Sequence, residues 1–203
     1  MITKKEKNIK MNFLNRLQGS LFYPGKFFSN IKEKSPYQSV IFFVIVMLIF
    51  TFISFIFDGI NGEFSGLPVM SSFSLAVLFV MILVIMMILG VIVLYLKTLL
   101  LYAFILLFKI ELSFDKTLIL RSYTSSPLVF AWIPIIGIPL SFIWSIVIEI
   151  IGLSRYAKIS VSKSAMVILL PLLIVILIIF LIFLFALSII LNSPAGFLIK
   201  DLV

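Results

Sequence analysis

The chain has no cysteine and no histidine among its 203 residues. That excludes disulfides, thiol nucleophiles, zinc sites built on Cys or His, axial haem histidines and imidazole acid–base catalysis. Charge is also scarce. Asp, Glu, Lys and Arg make up 12% of the residues, where a soluble domain carries roughly a quarter. So few charges cannot cover the surface of a water-soluble globule of this size. Acidic residues are the scarcest, 8 against 16 Lys and Arg, and no HExxH-like metal motif or facing pair of Asp residues occurs inside an apolar run. With these groups missing, the chain reads as a non-enzyme with no cofactor and no bound metal.

What remains is apolar: 63% of the residues are hydrophobic and 22 are Phe. The apolar residues fall in long runs, and the reading is an all-α polytopic membrane protein. At 1.5 Å per residue, about 20 helical residues cover the ~30 Å hydrocarbon core. Spans are expected at about 39–57, 73–94, 118–136, 140–153 and 165–191. The run 73–108 is too long for one simple crossing. It is read as one span whose helix continues to 108, with two spans, and therefore six in all, as the alternative. Ser125-Ser126-Pro127 interrupts the third span, and Pro134 and Gly137 mark a tight turn into the fourth. That hairpin, with one arm broken, is read as crossing or re-entrant.

The basic residues set an orientation. Residues 1–34 hold eight Lys and Arg, and 109–121 and 154–164 hold three each. The connections between them, 58–72 and 134–139, hold none. By the positive-inside rule the N-terminus is cytoplasmic and five spans alternate cleanly. The excess of cations at the ends of apolar runs favours anionic lipid headgroups over nucleic acid as the partner.

Within the basic segment 1–34, Ile9, Phe13, Leu14, Leu17 and Leu21 recur at helical spacing. This is the pattern of an amphipathic helix lying on the membrane, the plainer alternative being a frayed tail. Lys4, Lys5, Lys7, Lys10 and Arg16 would face headgroups. Phe13 and Leu17 would enter the leaflet, and Phe27 and Phe28 would sit at headgroup level.

Ionisable residues inside apolar spans are the default functional candidates. Here they are Lys97 and Glu149. They are read as an interhelical Glu149–Lys97 or Glu149–Arg121 pair beside a polar site, or as two residues snorkelling independently. A Ser125 or Ser126 nucleophile with Lys97 as base has little support, because a Ser-Ser-Pro step is more simply a helix break. A small-solute or ion carrier built on Glu149 and Lys97 is the functional alternative. The halves show no internal repeat of the kind many carriers have.

Several local features occur in a recognisable order. Leu21-Phe22-Tyr23-Pro24-Gly25-Lys26-Phe27-Phe28 precedes the first span. Phe114-Asp115-Lys116-Thr117 leads to Tyr123-Thr124-Ser125-Ser126-Pro127. Then come Trp132-Ile133-Pro134-Ile135-Ile136-Gly137, Trp144, Ile151-Gly152-Leu153, Ile159-Ser160, Lys163 and Ala165. Over about residues 20–190 this order resembles the Yip1-domain family of membrane proteins. The resemblance implies five transmembrane helices, a cytoplasmic N-terminus and a role in organising membranes, with no catalytic residues to carry over. Eukaryotic members act in vesicle trafficking and associate with small GTPases. The long Pro/Gly/Gln-rich N-terminal region of many such members is missing from this sequence, which counts against GTPase recruitment. The Lys, Ile and Phe usage suits a prokaryotic member, located in the cell membrane and interacting with lipid, other membrane proteins or further copies of itself.

Overall fold

The computed structural model describes residues 12–33, 35–61 and 72–192. Lys4, Lys5, Lys7 and Lys10 lie outside them. Every regular element among the described residues is helical: α1 (Phe13–Phe22), α2 (Pro24–Asn30), α3 (Tyr37–Ile60), α4 (Ser72–Leu107), α5 (Phe114–Thr124), a 3-10 turn (Ser126–Phe130), α6 (Gly137–Tyr156) and α7 (Val161–Asn192).

Four of these helices are long and apolar enough to cross a membrane, over Tyr37–Ile60, Ala76–Leu107, Gly137–Tyr156 and Val161–Ile189. The long second run is one uninterrupted helix of 36 residues with no turn inside it. The segment expected as the third span is not a helix of that length. Residues 118–136 divide between α5, which has only 11 residues, the 3-10 turn and an irregular connection. Pro127 is the reason, since its ring and missing N–H do not allow α5 to continue. Ser125 turns its hydroxyl back onto the Ser122 carbonyl and Ser122 onto that of Leu118, which offers the backbone further alternatives at the break.

This broken arm still runs beside α3. The Tyr123 ring packs 4.8 Å from Phe42, and Trp132 packs 6.2 Å from Phe57. Those α3 residues are fifteen positions apart, about 22 Å of helix axis. On its other side the arm pairs antiparallel with α6. Ser141 donates to the Pro127 carbonyl at 2.7 Å, and Glu149 meets Arg121. An irregular backbone is tolerated at membrane depth when protein covers it, and here α3 and α6 do so.

The core gathers at one end. It draws on Phe42 and Val46 near the start of α3, Leu101 and Ile105 near the end of α4, and Ile148 and Leu153 of α6. Val167 and Ile168 at the start of α7 complete it around the buried Ile119, Leu120 and Tyr123 of α5. Two helix ends seal it from outside. Lys109 and Lys158 take left-handed backbone conformations (φ 51° and 55°). The amides of Ile110 and Ile159 then return to the carbonyls of Ile105 and Ser154, both at 3.0 Å, closing the helices in the Schellman manner. Ile110 is thereby delivered into the core. Away from this end the packing thins, and α7 from Leu173 to Phe185 presents apolar side chains in every direction.

Candidate functional site

α5 is the most enclosed element and carries two polar centres. Arg121 and Tyr123 are two residues apart, so their side chains leave the helix on nearly opposite sides. They form the two centres separately.

The first is an ion pair between α5 and α6. Arg121 Nη1 donates to Glu149 Oε2. The Glu149 side chain is 4% exposed and that of Arg121 23%, so one partner is enclosed while the other reaches the edge of the bundle. Glu149 Oε1 and Arg121 Nε are buried with no hydrogen-bond partner in the protein. Of the two pairings expected for Glu149, the one with Arg121 forms. Lys97 is within electrostatic reach of both groups, but it lies exposed on α4 and makes no ion pair among the described residues.

The second centre binds the N-terminal helices to α5. The Tyr123 hydroxyl accepts from Arg16 Nη1 and donates to Glu33 Oε1, each at 2.8 Å. Arg16 also pairs with Glu33 at 3.1 Å and donates to Gln38 Oε1. The ring of Tyr123 has Phe27 at 5.0 Å in an edge contact, so aromatic packing and charge-assisted hydrogen bonds act on one side chain. Glu33 and Gln38 are members that the sequence reading did not single out. The available signal was that only Glu6 and Glu33 are acidic among the first 34 residues.

These contacts correct the lipid-surface assignment. Phe27 and Phe28 are 6% and 1% exposed and belong to the core, together with partly buried Phe13 and Leu17. Arg16 is held by Glu33 and Tyr123 instead of facing headgroups. The physical cause is the Tyr23-Pro24 break, which folds α2 back onto α6. The outward large apolar residues of this region are Leu14, Phe22 and Tyr23, between 61% and 71% exposed. Trp144 helps to hold the arrangement, its indole N–H donating to the Leu21 carbonyl at 3.1 Å.

The remaining candidates serve close packing. A Cβ on Gly152 would lie 2.8 Å from Leu120 and 2.9 Å from Phe28, so α2, α5 and α6 meet there because no side chain intervenes. A Cβ on Gly137 would lie 2.5 Å from the Phe130 carbonyl oxygen, a backbone atom with little freedom to move. Pro134 accepts from the Ile136 amide in the adjoining turn. The hydroxyls of Ser122, Thr124 and Ser125 are committed to backbone carbonyls. Ser126 is buried without a hydrogen-bond partner, and no side-chain base is bonded to either serine. Among the described residues no cluster of acidic side chains is arranged to hold a metal.

In comparison with known proteins, the Yip1 domain matches residues 19–188. No curated protein and no solved structure matches the chain.

Proposed function

The chain belongs to the Yip1-domain family, and from that premise we propose that it organises membrane by lateral contact with lipids and other membrane proteins, without catalysing a reaction. The observation that carries this reading is the unequal packing of the bundle. One end is densely packed and rimmed by Arg155 and Lys158. The other leaves apolar helix surface open to whatever surrounds it, including Ile179, Ile182 and Phe185, which are 61–68% exposed. A helix apolar on all sides suits lipid or another membrane helix and not water. Anionic headgroups suit the basic rim.

In this reading the N-terminus is cytoplasmic and the chain makes five passes. The broken arm of α5 and the 3-10 turn is the third, its length along α3 compensating for its short helices. The cell membrane is the expected location for a prokaryotic member. Further copies of the chain are candidate neighbours, and a small GTPase is a partner only by analogy with the family.

A carrier that uses Glu149 and Lys97 is the second reading, favoured by the buried Arg121–Glu149 pair beside a discontinuous helix. Liposomes containing the purified protein separate the two. The organising role predicts unchanged solute permeability for wild type and Glu149→Gln, together with cross-links to neighbours from photoreactive groups at Ile178 and Ile182. Solute flux that disappears in Glu149→Gln would overturn it in favour of the carrier.

A further inference from the structure

Arg121 of α5 has two cationic side chains of other helices near its own helix, Arg16 of α1 and Lys97 of α4, and the surroundings of the three differ. Arg16 is saturated by Glu33, Gln38 and Tyr123. Arg121 is half satisfied: one Nη meets Glu149, while its Nε has no partner. Lys97 has none among the described residues. Lys97, Arg121 and Glu149 interact electrostatically as a group, with formal charges that sum to one positive. A site of this composition is completed by one negative charge.

Depth identifies where that charge would come from. Phe43 of α3 and Leu94 of α4 pack in one cluster with Leu118 of α5. The helices α3 and α4 are antiparallel neighbours. Tyr37, six residues before Phe43, and Lys97, three residues after Leu94, therefore lie toward the same end, about 9 and 5 Å from that contact. Tyr37 opens α3 and is 71% exposed, the position of an aromatic residue at the membrane interface. Lys97 is slightly deeper, and its side chain extends at headgroup level. Arg121, 23% exposed, opens to the bundle edge from the neighbouring helix.

We infer that Lys97 and Arg121 form a lateral binding site for a phosphate group, supplied by a phospholipid headgroup at the basic end of the bundle. Lys97 contributes a mobile point charge, and the exposed edge of the Arg121 guanidinium, away from the buried Nε and the Glu149-bound Nη1, supplies directed hydrogen bonds. Glu149 positions the guanidinium through Nη1 and keeps the net charge of the site at one, matching a phosphodiester and disfavouring a dianion. The site deepens the lipid-contact role proposed above and rests on it for the source of the phosphate.

The test uses full-length protein extracted in mild detergent, with bound lipid counted by native mass spectrometry. The probes are phosphatidylglycerol, phosphatidylcholine and inorganic phosphate. Lys97→Gln is expected to lower retention of one phosphatidylglycerol by about tenfold, as loss of a charge-assisted contact predicts. Lys97→Arg should keep it, and Lys116→Gln, at an exposed lysine of the same end, should leave it unchanged. Lys97-dependent retention of either phospholipid supports a headgroup site, and Lys97-dependent binding of inorganic phosphate alone supports the same site for the free anion. Equal retention by wild type and Lys97→Gln would overturn the inference. So would equal losses in Lys97→Gln and Lys116→Gln, which indicate diffuse attraction. Lys97 lies on the exposed surface of α4, so the variant is expected to fold, and its elution volume checks this. If Glu149-dependent flux appears while Lys97-dependent lipid retention persists, the organising role fails and the site stands.

Discussion

The two ends of the bundle are built by different rules. At the basic end, α5 is surrounded by α1 to α4 and α6, and nearly every one of its residues from Thr117 to Thr124 is buried. There the protein is its own solvent, polar groups must find protein partners, and small changes of volume are felt. In the second half of α7, Ile178 and Ile182 are 50% and 62% exposed. There the bilayer is the solvent, and side chains need only be apolar. The same Ile, Leu and Phe residues are therefore under strict geometric constraint at one end and loose compositional constraint at the other.

The contrast is most severely tested at Arg121. Arg121→Met leaves the enclosed Glu149 carboxylate without its partner. It should destabilise the fold by about 3–5 kcal/mol, the usual cost of breaking a buried pair from one side, measured as unfolding in mixed micelles. Replacing both members, Arg121→Met with Glu149→Leu, should recover most of that loss. Next comes Leu120→Ala, expected to cost about 2–5 kcal/mol as a core truncation. Overpacking by Gly152→Leu against Leu120 and Phe28 should cost about 1–3 kcal/mol.

Tyr123→Phe removes a hydroxyl bonded to Arg16 and Glu33 but leaves their ion pair in place. A loss of about 1 kcal/mol is expected, with proteolysis in the segment between α2 and α3 becoming faster. The smallest effect is predicted for Ile178→Ala and Ile182→Ala, within about 0.5 kcal/mol of wild type. Should Ile178→Ala prove as costly as Leu120→Ala, the comparison breaks, and the far half of α7 is packed against another protein chain in the membrane.

The sequence made some of this legible and concealed the rest for identifiable reasons. Helical spans could be read wherever an apolar run was long and uninterrupted, as for α3, α4 and α7. Glu149 and Lys97 stood out because charge is rare in such runs, and Arg121 entered as an alternative partner of Glu149. The third span was misjudged in form, because hydropathy over 118–136 averages across the break at Pro127, whereas helix continuity depends on one missing N–H. Phe27 and Phe28 were misplaced because an aromatic pair before a span has the same composition at a lipid interface and in a core. Glu33 was passed over because its partners, Arg16 and Tyr123, are 17 and 90 residues away in the chain.

By itself, the sequence determined that this protein is helical, that it leaves water for an apolar medium, and that its cations collect at the ends of its spans. Those properties follow from composition and from order along the chain. Only the tertiary structure decided which apolar residues meet protein and which face outward, which carboxylate takes which guanidinium, and that Lys97 makes no ion pair among the described residues. The physical reason is that lipid and protein interior are both apolar. Burial from water is therefore encoded residue by residue, while the choice between two apolar surroundings, and the pairing of the few polar groups inside them, depends on how the helices pack.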